Sequence, residues 1–126
     1  MKEETILVAA SLLSLLLLTL HITDDIVRGI SQAEPSKTAL AVFVIFLYGT
    51  LILAGKRSGH VITLIIGLFA AAMPVIHMNG ARYPEIAKSQ GGFFFVWTLW
   101  MLGGLGGLTL VLSARGLWRL QWRRAR

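Results

Sequence analysis

The sequence reads as an all-α integral membrane protein, a single four-helix transmembrane domain with both termini in the cytoplasm. Composition, four unbroken apolar stretches and the placement of positive charge all point that way. Hydrophobic residues make up 56% of the 126 positions and charged residues only 14%, against about 25% charged in a soluble domain. A soluble chain this short has too much surface for its volume to hide so much apolar area, so lipid must cover the remainder. The stretches are Thr5 to Ile22, Thr38 to Ala54, Val61 to Met78 and Gly92 to Leu112. At a rise of about 1.5 Å per residue each is long enough to cross a hydrocarbon core of roughly 30 Å. Hydrocarbon offers no partner for backbone N–H and C=O groups, so the crossings are helices. The runs are continuous rather than alternating, which excludes a barrel. With their flanks, the predicted elements are helices over about 5–30, 38–54, 61–79 and 92–113, followed by a basic interfacial tail over 114–126.

The first stretch follows Met1-Lys2-Glu3-Glu4 and resembles a secretory signal in length. Its leading segment is acidic and no small-x-small cleavage site follows Leu20, so a retained helix is expected. Beyond the apolar run comes His21-Ile-Thr-Asp24-Asp25-Ile-Val-Arg28. At 100° per residue His21, Asp24, Asp25 and Arg28 lie on one side of a helix, with Ile22, Ile26, Val27 and Ile30 opposite. The helix is therefore expected to continue to about Ile30 as an amphipathic extension at the outer interface. Ser31-Gln-Ala-Glu-Pro35 then stops it.

The second and third helices are joined by Gly55-Lys56-Arg57-Ser58-Gly59-His60, short and basic, with His60 read as a loop residue. The third carries Pro74, which frees the carbonyl of Ala70 and can kink the helix. His77 lies near its outer end, and Asn79-Gly80 suits a left-handed C-cap. Pro84 is placed to start a short surface helix, and Gly91-Gly92 to turn into the fourth crossing.

The fourth crossing opens on Phe93, Phe94, Phe95 and Trp97, aromatics expected at headgroup depth. Gly103, Gly104, Gly106 and Gly107 offer a helix-packing surface, with a GxxxG step from Gly103 to Gly107. The third helix supplies a complementary small surface in Gly67, Ala70, Ala71 and Ala72. Five of the twelve basic residues fall in the last twelve positions: Arg115, Arg119, Arg123, Arg124 and Arg126. With Trp118 and Trp122 they read as a short interfacial helix, in which Arg115, Trp118, Arg119, Trp122 and Arg123 are lipid-headgroup anchors. The Lys56-Arg57 turn and this tail must share one face, and the positive-inside rule makes that face cytoplasmic. A bacterial cytoplasmic (inner) membrane is the expected location. The charge of +6 is accounted for by this topology signal, so no nucleic-acid partner is expected.

Function classes narrow by exclusion. The chain contains no cysteine, so disulfides, thiolate metal sites and cysteine nucleophiles are out. No phosphate-binding glycine loop, HExxH or nucleophile elbow occurs. Between the interfaces no ionisable residue is expected, which disfavours ion-coupled transport. The composition favours a structural or accessory bundle that packs against itself or against another membrane protein, surrounded by membrane lipids. A second reading is a metal site at the outer interface built from His21, Asp24, Asp25 and His77, with Arg28, Asn79, Arg82, Tyr83 and Glu85 as polar support on the same face. Two imidazoles and a carboxylate suit a divalent metal such as zinc or iron, and water in a remaining position would make the centre catalytic. A third reading is a binder or carrier of a lipid-like molecule, with a cavity opening near Pro74.

Overall fold

The structure is a computed structural model that describes residues 2–29 and 37–125, with the side chains of 37–39 and 124 excepted. Ile30, the predicted stop at Ser31–Pro35 and Arg126 lie outside the described residues. The elements are α1 (Lys2–Val27), α2 (Lys37–Leu51), α3 (Arg57–Met78), α4 (Tyr83–Lys88) and α5 (Gly92–Arg124). The fold is all-helical, 87% helix, without strands among the described residues. Helices α1, α3 and α5 are each long and apolar enough to cross a membrane, and α2 is a shorter apolar helix.

The distribution of side chains is that of a protein solvated by lipid. Among the described residues, ten buried apolar residues are matched by ten buried polar or ionisable ones, while thirty large apolar side chains are exposed. Such a partition would leave a chain in water without a driving force to fold. In lipid it is expected, because close backbone approach and interhelical hydrogen bonds hold the helices together there. The buried hydroxyls sit at those close approaches. Thr63 and Ser113 hydrogen-bond across α3 and α5 at 2.8 Å, and Ser11, Thr98 and Thr109 are wholly enclosed.

Helix α5 forms the spine, with α3 packed along it and α1 packed against both. The contact between α3 and α5 is nearly backbone to backbone. A β-carbon at Gly67 would meet the backbone of Gly106 and Leu110, and one at Gly106 would meet Ala70 and Ala71. Gly103 faces the ring of Pro74, whereas Gly104 and Gly107 face open space. Pro74 is thus buried against α5. Accordingly, Gly106→Leu is expected to cost about 1–3 kcal/mol through overpacking, and Gly104→Leu to stay within about 0.5 kcal/mol of wild type. Thermal unfolding in detergent reads both, and equal losses would contradict this packing.

Several boundaries differ from those expected. α1 ends at Val27, not Ile30, because Gly29 adopts a left-handed φ of 64°, and its N–H bonds the carbonyl of Ile26 at 3.0 Å. α2 ends at Leu51, short of Ala54. At about 22 Å by helical rise it is shorter than the hydrocarbon core, and the chain turns through Gly55 at φ 71°. His60 is not a loop residue. It lies in the first turn of α3, buried at 9% exposure, because Gly116 leaves room for its ring against α5. The C-cap of α3 is not left-handed: Asn79 has φ −84° and instead donates its side-chain amide to the carbonyl of Val75 at 2.8 Å. Finally, α5 runs unbroken to Arg124, where a separate interfacial helix was expected. At 33 residues it is about 50 Å long, since no proline interrupts it and its arginines are tied back to the start of α1. Arg119 lies 2.6 Å and Arg115 3.2 Å from the carboxylate of Glu3.

Candidate metal centre

At the other end of the bundle, three helices bring one side chain cluster together. His21 and Asp25 are one helical turn apart on α1 and therefore share a face. Pro74 and the small residues of α3 let that helix lie close to α5, which carries His77 to the same place. One ligand atom from each of His21, Asp25 and His77 falls within 4.8 Å of the others. The Asp25 carboxylate sits between the rings, its Oδ2 at 3.3 Å from His77 Nε2 and its Oδ1 at 3.8 Å from His21 Nε2. The two imidazoles meet edge to face at 4.9 Å, and the ring of Phe95 backs both, at 5.0 Å from His21 and 6.0 Å from His77. His21 and Phe95 are 1% exposed and Asp25 7%. The cluster is thus enclosed on the bundle side, and His77 is its least covered member.

Hydrogen bonding fixes which ring nitrogens carry protons. Thr98 Oγ1 gives its only proton to the carbonyl of Phe95 at 2.9 Å. His21 Nδ1, 3.1 Å from that hydroxyl oxygen, must therefore be the donor. The carbonyl of Met73 can only accept, so His77 Nδ1 at 3.1 Å also donates. His77 Nε2 is within hydrogen-bond distance of Asp25 Oδ2, at 3.3 Å, and donates to it when the ring carries both protons, whereas the Nε2 of a neutral His21 ring is a bare lone pair turned toward the same carboxylate. His21 Nε2 and Asp25 Oδ1 are both buried without a hydrogen-bond partner. Unsatisfied buried polar atoms cost free energy, and a cation held between the three side chains would satisfy them.

The remaining sequence-predicted residues fall around this centre or apart from it. Asp24 is turned away and pairs with Arg28 at 2.7 Å. Arg28 in turn reaches Ser89 Oγ at 3.0 Å and the carbonyl of Gln90 at 3.2 Å, tying the end of α1 to the segment after α4. Arg82 reaches the carbonyl of Gly29 at 3.4 Å. Tyr83 packs beside the buried Ile86, Phe95 and Leu99, Asn79 caps α3, and Glu85 is exposed. Two functional contributors escaped the sequence reading. Phe95, expected at the headgroups with its neighbours, is instead the floor of the site, while adjacent Phe93 is 82% exposed. Thr98 sits one turn further along the same buried face of α5 and orients His21. The signal was the three- then four-residue spacing of Phe95, Thr98 and Leu102, all of which are buried.

Comparisons with protein-family models, curated proteins and solved structures give no match.

Proposed function

We propose that this protein holds a divalent transition metal, zinc or iron(II), at the outer face of a bacterial cytoplasmic membrane, with His21, Asp25 and His77 as ligands. The observation that carries the reading is the pair of histidines whose Nδ1 atoms are engaged by Thr98 and Met73 while both Nε2 atoms face one buried carboxylate. Metal-ligating histidines are oriented in this way by their second nitrogen. A proton alone answers less of the electrostatics. It would satisfy the His77–Asp25 contact and leave His21 Nε2 and Asp25 Oδ1 unpartnered, whereas one cation serves all three side chains.

The donor set agrees with the metal. With ligand bonds of about 2.0–2.2 Å, the 3.3 Å separation of His77 Nε2 and Asp25 Oδ2 corresponds to an angle of roughly 100–110° at the ion, near tetrahedral. His21 completes the set by a small closing movement of the less covered His77 side. Two imidazoles and one carboxylate suit zinc or iron(II) and leave coordination positions for water or a substrate. Such a centre can activate water for attack on a substrate reaching the outer interface.

The topology that supports this reading is four crossings, α1, α2, α3 and α5, with both ends cytoplasmic. Lys56, Arg57 and the arginines of α5 gather at the end opposite the metal ligands, as the positive-inside rule requires.

Metal analysis of the protein purified in detergent tests the proposal. The expected result is close to one zinc or iron per chain, lost in His21→Ala/His77→Ala. No metal in either protein, with equal stability, would leave a structural bundle whose function lies in its partners.

A further inference from the structure

The opposite end of the bundle contains a second built site, independent of the first. From His60 to His77 is about 25 Å along α3 by helical rise. There the start of α1, the turn between α2 and α3, and the last third of α5 line a half-open pocket of about 220 Å³. At roughly 30 Å³ per molecule it would take about seven waters, which is room for a phosphate with a short amino-alkyl arm.

Its lining is specific. Leu7 and Leu120 give an apolar wall, and Glu4, His60, Arg119 and Arg123 give a polar one. Glu3 is already ion-paired with both Arg119 and Arg115. Among the described residues, that leaves the Glu4 carboxylate and the Arg123 guanidinium as lining charges without an ion pair. The carboxylate of Glu4 lies against Gly55, where any β-carbon would collide with it. His60 faces the cavity from α3, is 9% exposed, and its Nδ1 has no hydrogen-bond partner. Gly116 is bare backbone beneath that imidazole, since a β-carbon there would run into the ring. A buried, unpartnered nitrogen held beside one free cation and one free carboxylate asks for a ligand carrying both charge signs.

The setting identifies its source. The cavity lies where three long apolar helices give way to charged ends, next to the exposed rings of Trp118 and Trp122, which pack together at 6.0 Å. We infer that it binds the headgroup of an aminophospholipid of the phosphatidylethanolamine type. The phosphate meets Arg123 and His60, the primary ammonium meets Glu4, and the acyl chains leave along Leu7 and Leu120. A purely anionic headgroup would bring no positive charge to the Glu4 carboxylate. A choline headgroup is cationic but has no N–H to donate. A bound metal ion does not fit either: His60, Glu3 and Glu4 do not converge as the three ligands of the first centre do.

The test places the full chain in nanodiscs containing equal phosphatidylethanolamine, phosphatidylcholine and phosphatidylglycerol and reads retained lipid by native mass spectrometry. Wild type is expected to keep one phosphatidylethanolamine, preferred over phosphatidylcholine by about 10-fold, the worth of one charge-assisted hydrogen bond. Glu4→Gln is expected to erase that preference and Arg123→Gln to weaken retention of both lipids. Both residues are exposed, so helicity and metal content stay at wild-type values. Equal retention of the three lipids, a preference for phosphatidylglycerol, or an unchanged pattern in the variants would overturn the assignment. Release of the adduct by millimolar phosphoethanolamine would also overturn it, by making the free headgroup the ligand.

Discussion

Asp25→Asn is expected to lower zinc affinity by at least about 100-fold, while Asp24→Asn leaves it within a few-fold of wild type. The two residues are adjacent in sequence and identical in chemistry, so the contrast isolates geometry. Loss of an outer-shell partner alone typically costs 10–100-fold in metal affinity, and Asp25 is a direct ligand whose carboxylate lies between both imidazoles. Asn keeps the shape but removes the charge and replaces one oxygen by an amide that cannot ligate from that side. Asp24 is engaged with Arg28 at 2.7 Å, so its replacement frees Arg28 and loosens the tie to Ser89 and Gln90 without touching the ligand set. Competition titration with a chromogenic zinc chelator, in detergent, measures both constants. Equal losses in the two variants would mean that the polar stripe acts as one diffuse anionic patch and not as a three-ligand centre.

The apolar stretches were legible because membrane solvation writes itself into composition over some twenty residues at a time, and α1, α3 and α5 follow. The polar stripe was legible only as a stripe. His21 with Asp25 and Asp24 with Arg28 are both one-turn pairs, rotated from each other by about 60°, and only the positions of α3, α4 and α5 decide which pair is turned inward. His77 belonged with them by topology, since antiparallel neighbours return to the same face. Phe95 and Thr98 did not, because an aromatic at a helix end looks the same whether its ring meets lipid or a neighbouring helix. His60 and Gly116 were hidden for a related reason. A glycine deep in a basic segment signals flexibility when read alone, yet here it is the bare surface on which an imidazole rests. The unbroken course of α5 was hidden by the same glycine and by the arginines, which read as solvated until Glu3 is found opposite them.

Zinc should raise the thermal midpoint of the folded protein near neutral pH and lose that effect on acidification. An ion that binds only the folded state stabilises it by about 2.7 kcal/mol when present at 100 times its dissociation constant. The ligand atoms lie on α1 and α3, far apart in sequence and joined only by the fold, so the unfolded chain presents no equivalent site. Both imidazoles must be unprotonated to ligate. On acidification two protons therefore compete with each ion. Apparent affinity then falls by up to about 100-fold per pH unit once both rings protonate, and the stabilisation declines as pH drops. The four tryptophans give an intrinsic fluorescence readout of unfolding in detergent. The increment is expected to be full at pH 8, nearly absent at pH 5, and missing at every pH in His77→Ala. A zinc increment that persists undiminished at pH 5 would require ligands other than histidine. An increment retained in His77→Ala would move the ion away from the three-ligand centre and overturn the assignment.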